Sequence, residues 1–271
     1  ERVGEVFRVL LFWLGVTWSY SWLKTFLPIL NPVTYDIPLD RLDTLLHLGV
    51  NPNRFILAFL PFPGWWQFVD FSYALFLPVA VASFGWFVST LATPERARFS
   101  TRFGLLWVLS AWIYLAVPAR GPCFVFEGDY MGARASLPNQ LRTQGILGHQ
   151  YSILKKSGRT PGPEFVPGWG TAAMPSLHVG ALAFLACWAR RRSRRLAFAF
   201  CVLTVITFLG SLVTGWHYAI DGYVGILLGI ACAVARWPMR GRRERGSASE
   251  NESADVSGST TRARVNVQLA R

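Results

Sequence analysis

The chain has 271 residues, of which 52% are hydrophobic, 15% aromatic and only 15% charged. A soluble globular domain carries charge on about a quarter of its residues, so this composition excludes that class and indicates a membrane protein. The formal net charge of +12 arises from 27 Lys and Arg residues against 15 Asp and Glu residues. No aromatic-interleaved basic platform or recognition fold accompanies these cations, so we expect no nucleic-acid partner.

Six stretches of the sequence are candidates for membrane spans. Crossing a bilayer core of roughly 30 Å requires about 20 mostly apolar residues in a helix. In chain order the stretches are 6–27, 66–90, 103–117, 175–189, 196–215 and 218–235. The first has no small-residue cleavage pattern after it, which favours a retained span over a signal peptide. The third and fourth are short, so we expect them to extend into their flanks or to be partly buried in protein.

These stretches predict an all-α polytopic membrane protein with about six transmembrane helices in a domain of residues 1–238. Lys and Arg collect in the cytoplasmic loops of membrane proteins, and arginines cluster here within 96–102, 190–195 and 236–245. With six spans, all three clusters lie on one side of the bilayer. We therefore expect an integral protein of the cell membrane with both termini in the cytoplasm.

Two segments lie outside the predicted spans. The connection 119–174 falls on the outer side and is long for a loop, which hints at a function such as a lid over a site. Residues 239–271 are rich in Ser, Thr, Glu and Asn and almost free of aromatic residues. That composition predicts a disordered cytoplasmic tail.

Five polar residues fall at the outer ends of the predicted spans, although they are far apart in the sequence. Arg120 follows span three, Ser176 and His178 begin span four, and His217 and Asp221 begin span six. An ionisable group at membrane depth costs about 2.5–3.5 kcal/mol on insertion scales. Their convergence on one membrane face therefore indicates a functional site.

The residue types suit the cleavage of a phosphoester. His217 and Asp221 are four residues apart, so a shared helical face would let the carboxylate hold one ring nitrogen and leave the other free to attack. His178 could protonate a departing alkoxide. Arg120, Ser176 and the first amides of span four could hold phosphoryl oxygens.

The same residues permit other roles. Two histidines and one aspartate could ligate zinc, or the group could bind or transport a lipid phosphate and sense pH through its histidines. Ser176 could simply cap a helix, and Arg120 could be an interfacial anchor. The four cysteines show neither metal-type spacing nor a disulfide framework.

Two short motifs make the sequence resemble the type 2 phosphatidic acid phosphatase (PAP2) superfamily over roughly residues 105–235. Residues 175–178 match its Pro-Ser-x-His element, and residues 217–221 match its His-x-x-x-Asp element. The resemblance implies a PAP2-type helical bundle and a nucleophilic His217 that forms a phosphohistidine. It also implies that Asp221 orients His217 and that His178 serves as general acid and base. The reaction it implies needs no metal and no cofactor.

The sequence departs from the superfamily pattern at three places. Gly210 and Ser211 stand where the third motif begins with Ser-Arg, Ile113 replaces the lysine of the first motif, and Gly121 replaces its proline. The first element, the His-Tyr pair that opens the third, and the segment 35–43 are similar to the inositol phosphorylceramide synthase branch.

The resemblance leads us to expect an enzyme whose partner is a lipid-linked phosphoester. That branch implies transfer of a phospho-headgroup such as inositol phosphate to a lipid alcohol. A phosphatase acting on a lipid phosphate or a polyprenyl phosphate or diphosphate, with water as acceptor, is the alternative. The same residues serve both reactions, because the choice of acceptor depends on pocket shape and water access.

Overall fold

The computed structural model describes residues 2–59, 63–157, 166 and 168–235, and the regular elements in this part of the chain are helices. The predicted disordered tail, 239–271, lies outside the described residues. The α helices are α1 (Arg2–Leu30), α2 (Asp36–Leu46), α3 (Pro52–Phe59), α4 (Pro63–Ala74), α5 (Phe76–Thr90), α6 (Thr93–Ala116), α7 (Pro122–Val125), α8 (Pro138–Ser157), α9 (Leu177–Ala189), α10 (Arg194–Val213) and α11 (Ala219–Val234). The connection 119–174 therefore contains α7 and α8, together with two 3₁₀ turns at Glu127–Tyr130 and Arg134–Ser136.

Four helical stretches among the described residues are long and apolar enough to cross a membrane: Arg2–Leu30, Gly64–Thr90, Thr93–Ala116 and Arg194–Val213. They correspond to predicted spans one, two, three and five, and the third begins ten residues earlier than predicted because its helix extends into the arginine-rich flank. Predicted spans four and six are the apolar helices α9 and α11, with 13 and 16 residues. At 1.5 Å per residue both are shorter than a bilayer core of roughly 30 Å. The all-α class is confirmed, and the count of six spans stays a prediction.

Helix α9 lies at the centre of the fold. It packs against α10, α11, α6 and α5, and it is buried along almost its whole length. A helix that is apolar on every face is typical of such a central position. Phe184 of α9 meets Phe99 and Phe103 of α6 in a cluster of aromatic rings, with centroids 5.7 and 5.2 Å apart.

Glycines bring the backbones of α9 and α11 into near contact. A Cβ atom on Gly229 would overlap the carbonyl oxygen of Gly180, and one on Gly225 would overlap the carbonyl oxygen of Ser176. Small residues permit this approach between apolar helices, where van der Waals packing supplies much of the association energy. The contact brings together the first turns of the two helices, and with them the second and third sequence motifs.

Two arginine-rich segments meet at the opposite end of the bundle. Arg102 of α6 and Arg191, which follows α9, both donate to the carbonyl oxygen of Ala233 near the end of α11, at 2.9 and 3.4 Å. Arg192 donates to the carbonyl oxygen of Thr90 at the end of α5. Cations suit helix C-termini, where carbonyl groups lack helical partners. The third arginine cluster lies outside the described residues.

Candidate active site

A cavity of about 330 Å³ opens at the end of the bundle that carries the motifs. Of the five predicted site residues, Arg120, His178 and His217 line it, whereas Ser176 and Asp221 do not. The other described residues that line the cavity belong to α1, α4, α5, α7, α8 and two loops: Lys24, Asp70, Tyr73, Ala74, Phe76, Leu77, Phe124, Asn139, Gln140, Thr143, Leu147, Gly170, Thr171, Ala172 and Trp216. The cavity thus joins residues that are far apart in the chain.

His217 presents one ring nitrogen to this cavity. Its Nδ1 atom lies 2.7 Å from the carbonyl oxygen of Ala173. A carbonyl oxygen can only accept a hydrogen bond, so Nδ1 carries the hydrogen and Nε2 carries the lone pair. Nε2 makes no hydrogen bond to a described residue. His217 is therefore in the tautomer that a nitrogen nucleophile requires.

Asp221 lies on the Nδ1 side of the His217 ring. The two residues do not share one face of a helix, contrary to the prediction from their spacing. His217 precedes α11, which begins at Ala219. The Oδ2 atom of Asp221 lies 3.5 Å from Nδ1 of His217 and accepts a 2.9 Å hydrogen bond from the backbone N–H of Tyr218. The Ala173 carbonyl oxygen is thus the closer partner of Nδ1, and the role of Asp221 in orienting His217 stays a prediction.

His178 faces the same cavity from the first turn of α9. Its ring packs against the rings of Phe76 and Tyr73, with centroids 4.5 and 5.1 Å apart, and lies 5.8 Å from the His217 ring. Its Nδ1 atom is buried and has no hydrogen-bond partner among the described residues. The two imidazoles thus line one cavity side by side, in an edge-to-face arrangement.

Ser176 is fully buried beneath the cavity. It occupies the N-cap position of α9, but its hydroxyl makes no capping hydrogen bond and has no partner among the described residues. Its backbone N–H donates to the carbonyl oxygen of Asp221 at 2.9 Å. Ser176 therefore joins the second motif to the third through its backbone, and its role as a phosphate ligand stays a prediction.

Arg120 reaches the cavity between two aromatic rings. Its guanidinium group lies 4.3 Å from the ring centroid of Tyr151 and 5.1 Å from that of Phe124. No carboxylate of a described residue lies within 4.0 Å of it, and its Nε atom is buried without a hydrogen-bond partner in the described part of the chain. A guanidinium placed in this way offers its donors to an anion in the cavity.

Two aspartates of α2 fasten the loops that carry Arg120 and His217. The carboxylate of Asp36 accepts hydrogen bonds from the backbone N–H groups of Arg120 and Gly121 and from the hydroxyl of Tyr218. The carboxylate of Asp43 accepts hydrogen bonds from the first two backbone N–H groups of α11, at 2.6 and 2.8 Å. Burial raises the pKa of Asp36, and it raises the pKa of Asp43 to about 6.

Gly121 shows why the first motif departs from the superfamily pattern. Its φ angle is +105°, and a Cβ atom there would lie 2.6 Å from the carbonyl oxygen of Trp216. A proline fixes φ near −65° and has no N–H group, so it could neither adopt this conformation nor donate to Asp36. Glycine is the residue that lets the two motif loops touch.

Several of these contributors were missed by the sequence reasoning. Asp36 and Asp43 are seven residues apart and so share one face of a helix, which was an available signal. Lys24 is an ionisable residue within a predicted span, which was another. The carbonyl of Ala173 could not be found in this way, because every residue has a carbonyl. Among the described residues, no group of three or more His, Cys, Asp and Glu side chains is arranged to hold a metal ion.

Comparison with protein families identifies the superfamily of the chain. A family model described as the PAP2 superfamily matches residues 37–235, more than half of the chain. The chain belongs to the PAP2 superfamily. No curated protein and no solved structure matches it significantly. PAP2 proteins are generally phosphatases and phosphotransferases, and the match includes Arg120 and all the histidine-motif residues but begins after Lys24 and Asp36.

Proposed function

We propose that this PAP2 protein is a membrane-embedded phosphotransferase that cleaves a lipid-linked phosphoester through a phosphohistidine at His217. The observation that carries the proposal is that His217, whose Nε2 has no partner among the described residues, lines one cavity together with His178 and Arg120. A nucleophile, a proton donor and a phosphate-binding cation are the groups that such a reaction requires.

In the first step, Nε2 of His217 attacks phosphorus. The N–P bond forms as the bond between phosphorus and the lipid oxygen breaks, and protonated His178 gives its proton to the departing alkoxide. The Ala173 carbonyl and the Asp221 carboxylate stabilise the positive charge that develops on the His217 ring. Arg120 neutralises the phosphoryl oxygens, where negative charge concentrates in the transition state.

In the second step, the acceptor alcohol gives its proton to His178 and attacks phosphorus from the cavity. The N–P bond breaks, and neutral His217 is restored. We propose that the group transferred is a hydroxylated phospho-headgroup such as inositol phosphate and that the acceptor is a lipid alcohol. In support, three uncharged hydrogen-bonding side chains of α8 line the cavity, namely Asn139, Gln140 and Thr143, and the Oε1 atom of Gln140 is buried without a partner in the described chain.

Water as the acceptor would make the protein a lipid phosphatase, and this is the second candidate. The cavity is not enclosed, and polar side chains such as those of Asn139 and Thr143 form part of its mainly apolar lining, so water can enter it. We further propose that the site faces the outer side of the membrane, with both termini in the cytoplasm. The arginine contacts at the opposite end of α6, α9 and α11 support this orientation, since Lys and Arg collect on the cytoplasmic side.

The proposal is tested by incubating detergent-purified protein with a lipid panel and identifying the products by mass spectrometry. The panel contains phosphatidylinositol with ceramide or with diacylglycerol, phosphatidic acid, and polyprenyl phosphates and diphosphates. His217→Ala is expected to abolish turnover, because it removes the nucleophile. His149→Ala is the matched control, because His149 is exposed on α8 and does not line the cavity.

The products separate the candidates. A headgroup-transfer product that is absent with His217→Ala supports the transferase, and inorganic phosphate without transfer supports the phosphatase. An acid-labile phosphoenzyme should form in wild type and in the His149→Ala control but not in the His217→Ala variant. Equal turnover in wild type and His217→Ala would refute the nucleophile assignment and favour a binding or transport protein.

A further inference from the structure

Lys24 is a cation in an apolar helix, and it lines the cavity with Arg120, His178 and His217. It lies about one and a half turns before the end of α1, whose hydropathy fits a membrane span. A charged group in an apolar helix carries a cost for insertion into a membrane, and such groups are commonly functional. The cost indicates that the ammonium group has a use at the cavity.

The described residues around Lys24 contact its side chain but do not neutralise its charge. Its Nζ atom lies 5.8 Å from the ring centroid of Tyr20 and 5.4 Å from that of Tyr114. No carboxylate of a described residue lies within 4.0 Å of it. Asp70 also lines the cavity, but its carboxylate accepts hydrogen bonds from the backbone N–H groups of Asn139 and Gln140.

Close contact with a neighbouring loop fixes this part of α1 against the site. A Cβ atom on Gly170 would overlap the backbone of Lys24, and the hydroxyl of Thr25 donates to the carbonyl oxygen of Trp169 at 3.1 Å. The next loop residue, Thr171, lines the cavity with a buried hydroxyl that has no partner among the described residues. The cavity lining thus contains, besides Lys24, a second polar group without a partner among the described residues, the Thr171 hydroxyl.

We propose that Lys24 binds the substrate's phosphoryl group, with its ammonium group and the Arg120 guanidinium gripping the non-bridging oxygens. This inference rests on the proposed function, because it assigns a ligand to the same site. Among the described residues that line the cavity, Arg120 is the one other Lys or Arg side chain, and the negative charge on phosphoryl oxygens in the transition state calls for a second source of positive charge. Lys24 supplies it from α1, outside the matched residues 37–235.

The test measures binding of inorganic phosphate to the detergent-purified full chain by calorimetry, so it does not depend on turnover. Lys24→Met is expected to weaken phosphate affinity by about tenfold to 100-fold, the loss expected for one hydrogen bond to a charged group. Lys24→Arg should restore most of the affinity, because it restores the charge. Lys155→Met is the control, since Lys155 is exposed on α8 outside the cavity. Lys24→Gln provides a second neutral variant, and melting curves establish that each variant is folded.

The outcomes for Lys24 and for the proposed function are distinguishable. Wild-type phosphate affinity in folded Lys24→Met or Lys24→Gln would overturn the Lys24 proposal, even if His217-dependent turnover were present. Weakened phosphate binding with rescue by Lys24→Arg would support it, even if no lipid in the panel were turned over. A purely structural role would lower the melting temperature of Lys24→Met without a selective change in phosphate affinity, and that result would also overturn the proposal.

Discussion

The nucleophile loop, residues 214–218, and the cationic wall formed by Lys24 and Arg120 are held by different kinds of contact. In the nucleophile loop, the His217 N–H donates to Ser211, its carbonyl accepts from Asn53, and its ring donates to Ala173. In the cationic wall, the Lys24 ammonium and the Arg120 guanidinium lie over aromatic rings. Neither has a carboxylate of a described residue within 4.0 Å.

The difference matches the two tasks of the site. A nucleophile is effective when its geometry is fixed before the substrate arrives. A phosphate-binding cation is effective when its charge has not been neutralised by the protein, because the substrate then supplies the missing partner. The hydrogen bonds of the loop therefore preorganise the chemistry, while the ring contacts keep the cations available.

The largest effect is expected from removing a cation of the wall. Arg120→Met should lower kcat/KM by about 10²–10³-fold, the range found when one donor to transition-state charge is removed. The melting temperature should change little, because no carboxylate of a described residue is left unpaired. Arg142→Met, an exposed arginine on α8 that does not line the cavity, is the control. A kcat/KM for Arg120→Met close to that of wild type would contradict the assignment of Arg120.

The next effect is expected where the first motif touches the nucleophile loop. Gly121→Ala should destabilise the protein by about 1–3 kcal/mol, because alanine is strained at a φ of +105° and its Cβ would also press on Trp216. Melting curves and turnover should both decline. Gly128→Ala is the matched control, because a Cβ there meets nothing within 4 Å. Equal melting temperatures for Gly121→Ala and Gly128→Ala would contradict this prediction, because they would show that the contact between the two loops can be loosened without loss of stability.

An effect of similar size is expected from loosening the nucleophile loop at Asn53. The side-chain amide of Asn53 donates to the carbonyl oxygens of His217 and Leu212, at 3.0 and 3.1 Å. Asn53→Leu leaves buried carbonyl groups unpaired, which costs about 1–3 kcal/mol, and kcat should fall more than KM changes. Asn31→Leu removes a comparable bond, to Leu115, away from the loop. If both variants lost kcat equally, Asn53 would have no particular role in positioning His217.

The smallest effect is a pH dependence through Asp43, which caps α11 below the loop. Burial raises the pKa of Asp43 to about 6, with Asp221 also raising it and His47 lowering it. The folded state then holds this proton more tightly than the unfolded chain. The stabilisation is fully present below about pH 4 and is lost as pH rises through about 6. The melting temperature of wild type should therefore fall relative to that of Asp43→Asn over this range. A difference that stays constant with pH would refute the assignment.

The superfamily followed from the sequence, and so did the candidates for the reactive residues. Motif spacing singled out His178 and His217, and both line the cavity. Apolar stretches gave the all-α class, because hydrophobicity over about 20 residues is a local property that a sequence displays directly. Helix boundaries are harder to predict where polar residues continue a helix. In the first turns of α6, for example, Arg96 is buried and donates hydrogen bonds to carbonyl groups at 2.7 and 2.9 Å.

Only the tertiary structure decided how His217 is oriented and which cations share its cavity. The Ala173 carbonyl, the α2 carboxylates and Lys24 act across distances of many residues. The spacing of the two aspartates and the charge of Lys24 are visible in the sequence, but no local pattern shows which distant residue each one contacts. The proximity of α9 and α11 depends on Gly180, Gly225 and Gly229 meeting at one crossing, which depends on how two helices pack. Sequence by itself thus determined the superfamily and the apolar, all-α class of the chain. The packing of separate helices determined the geometry, because hydrogen bonds and close contacts form between residues that the chain order keeps apart.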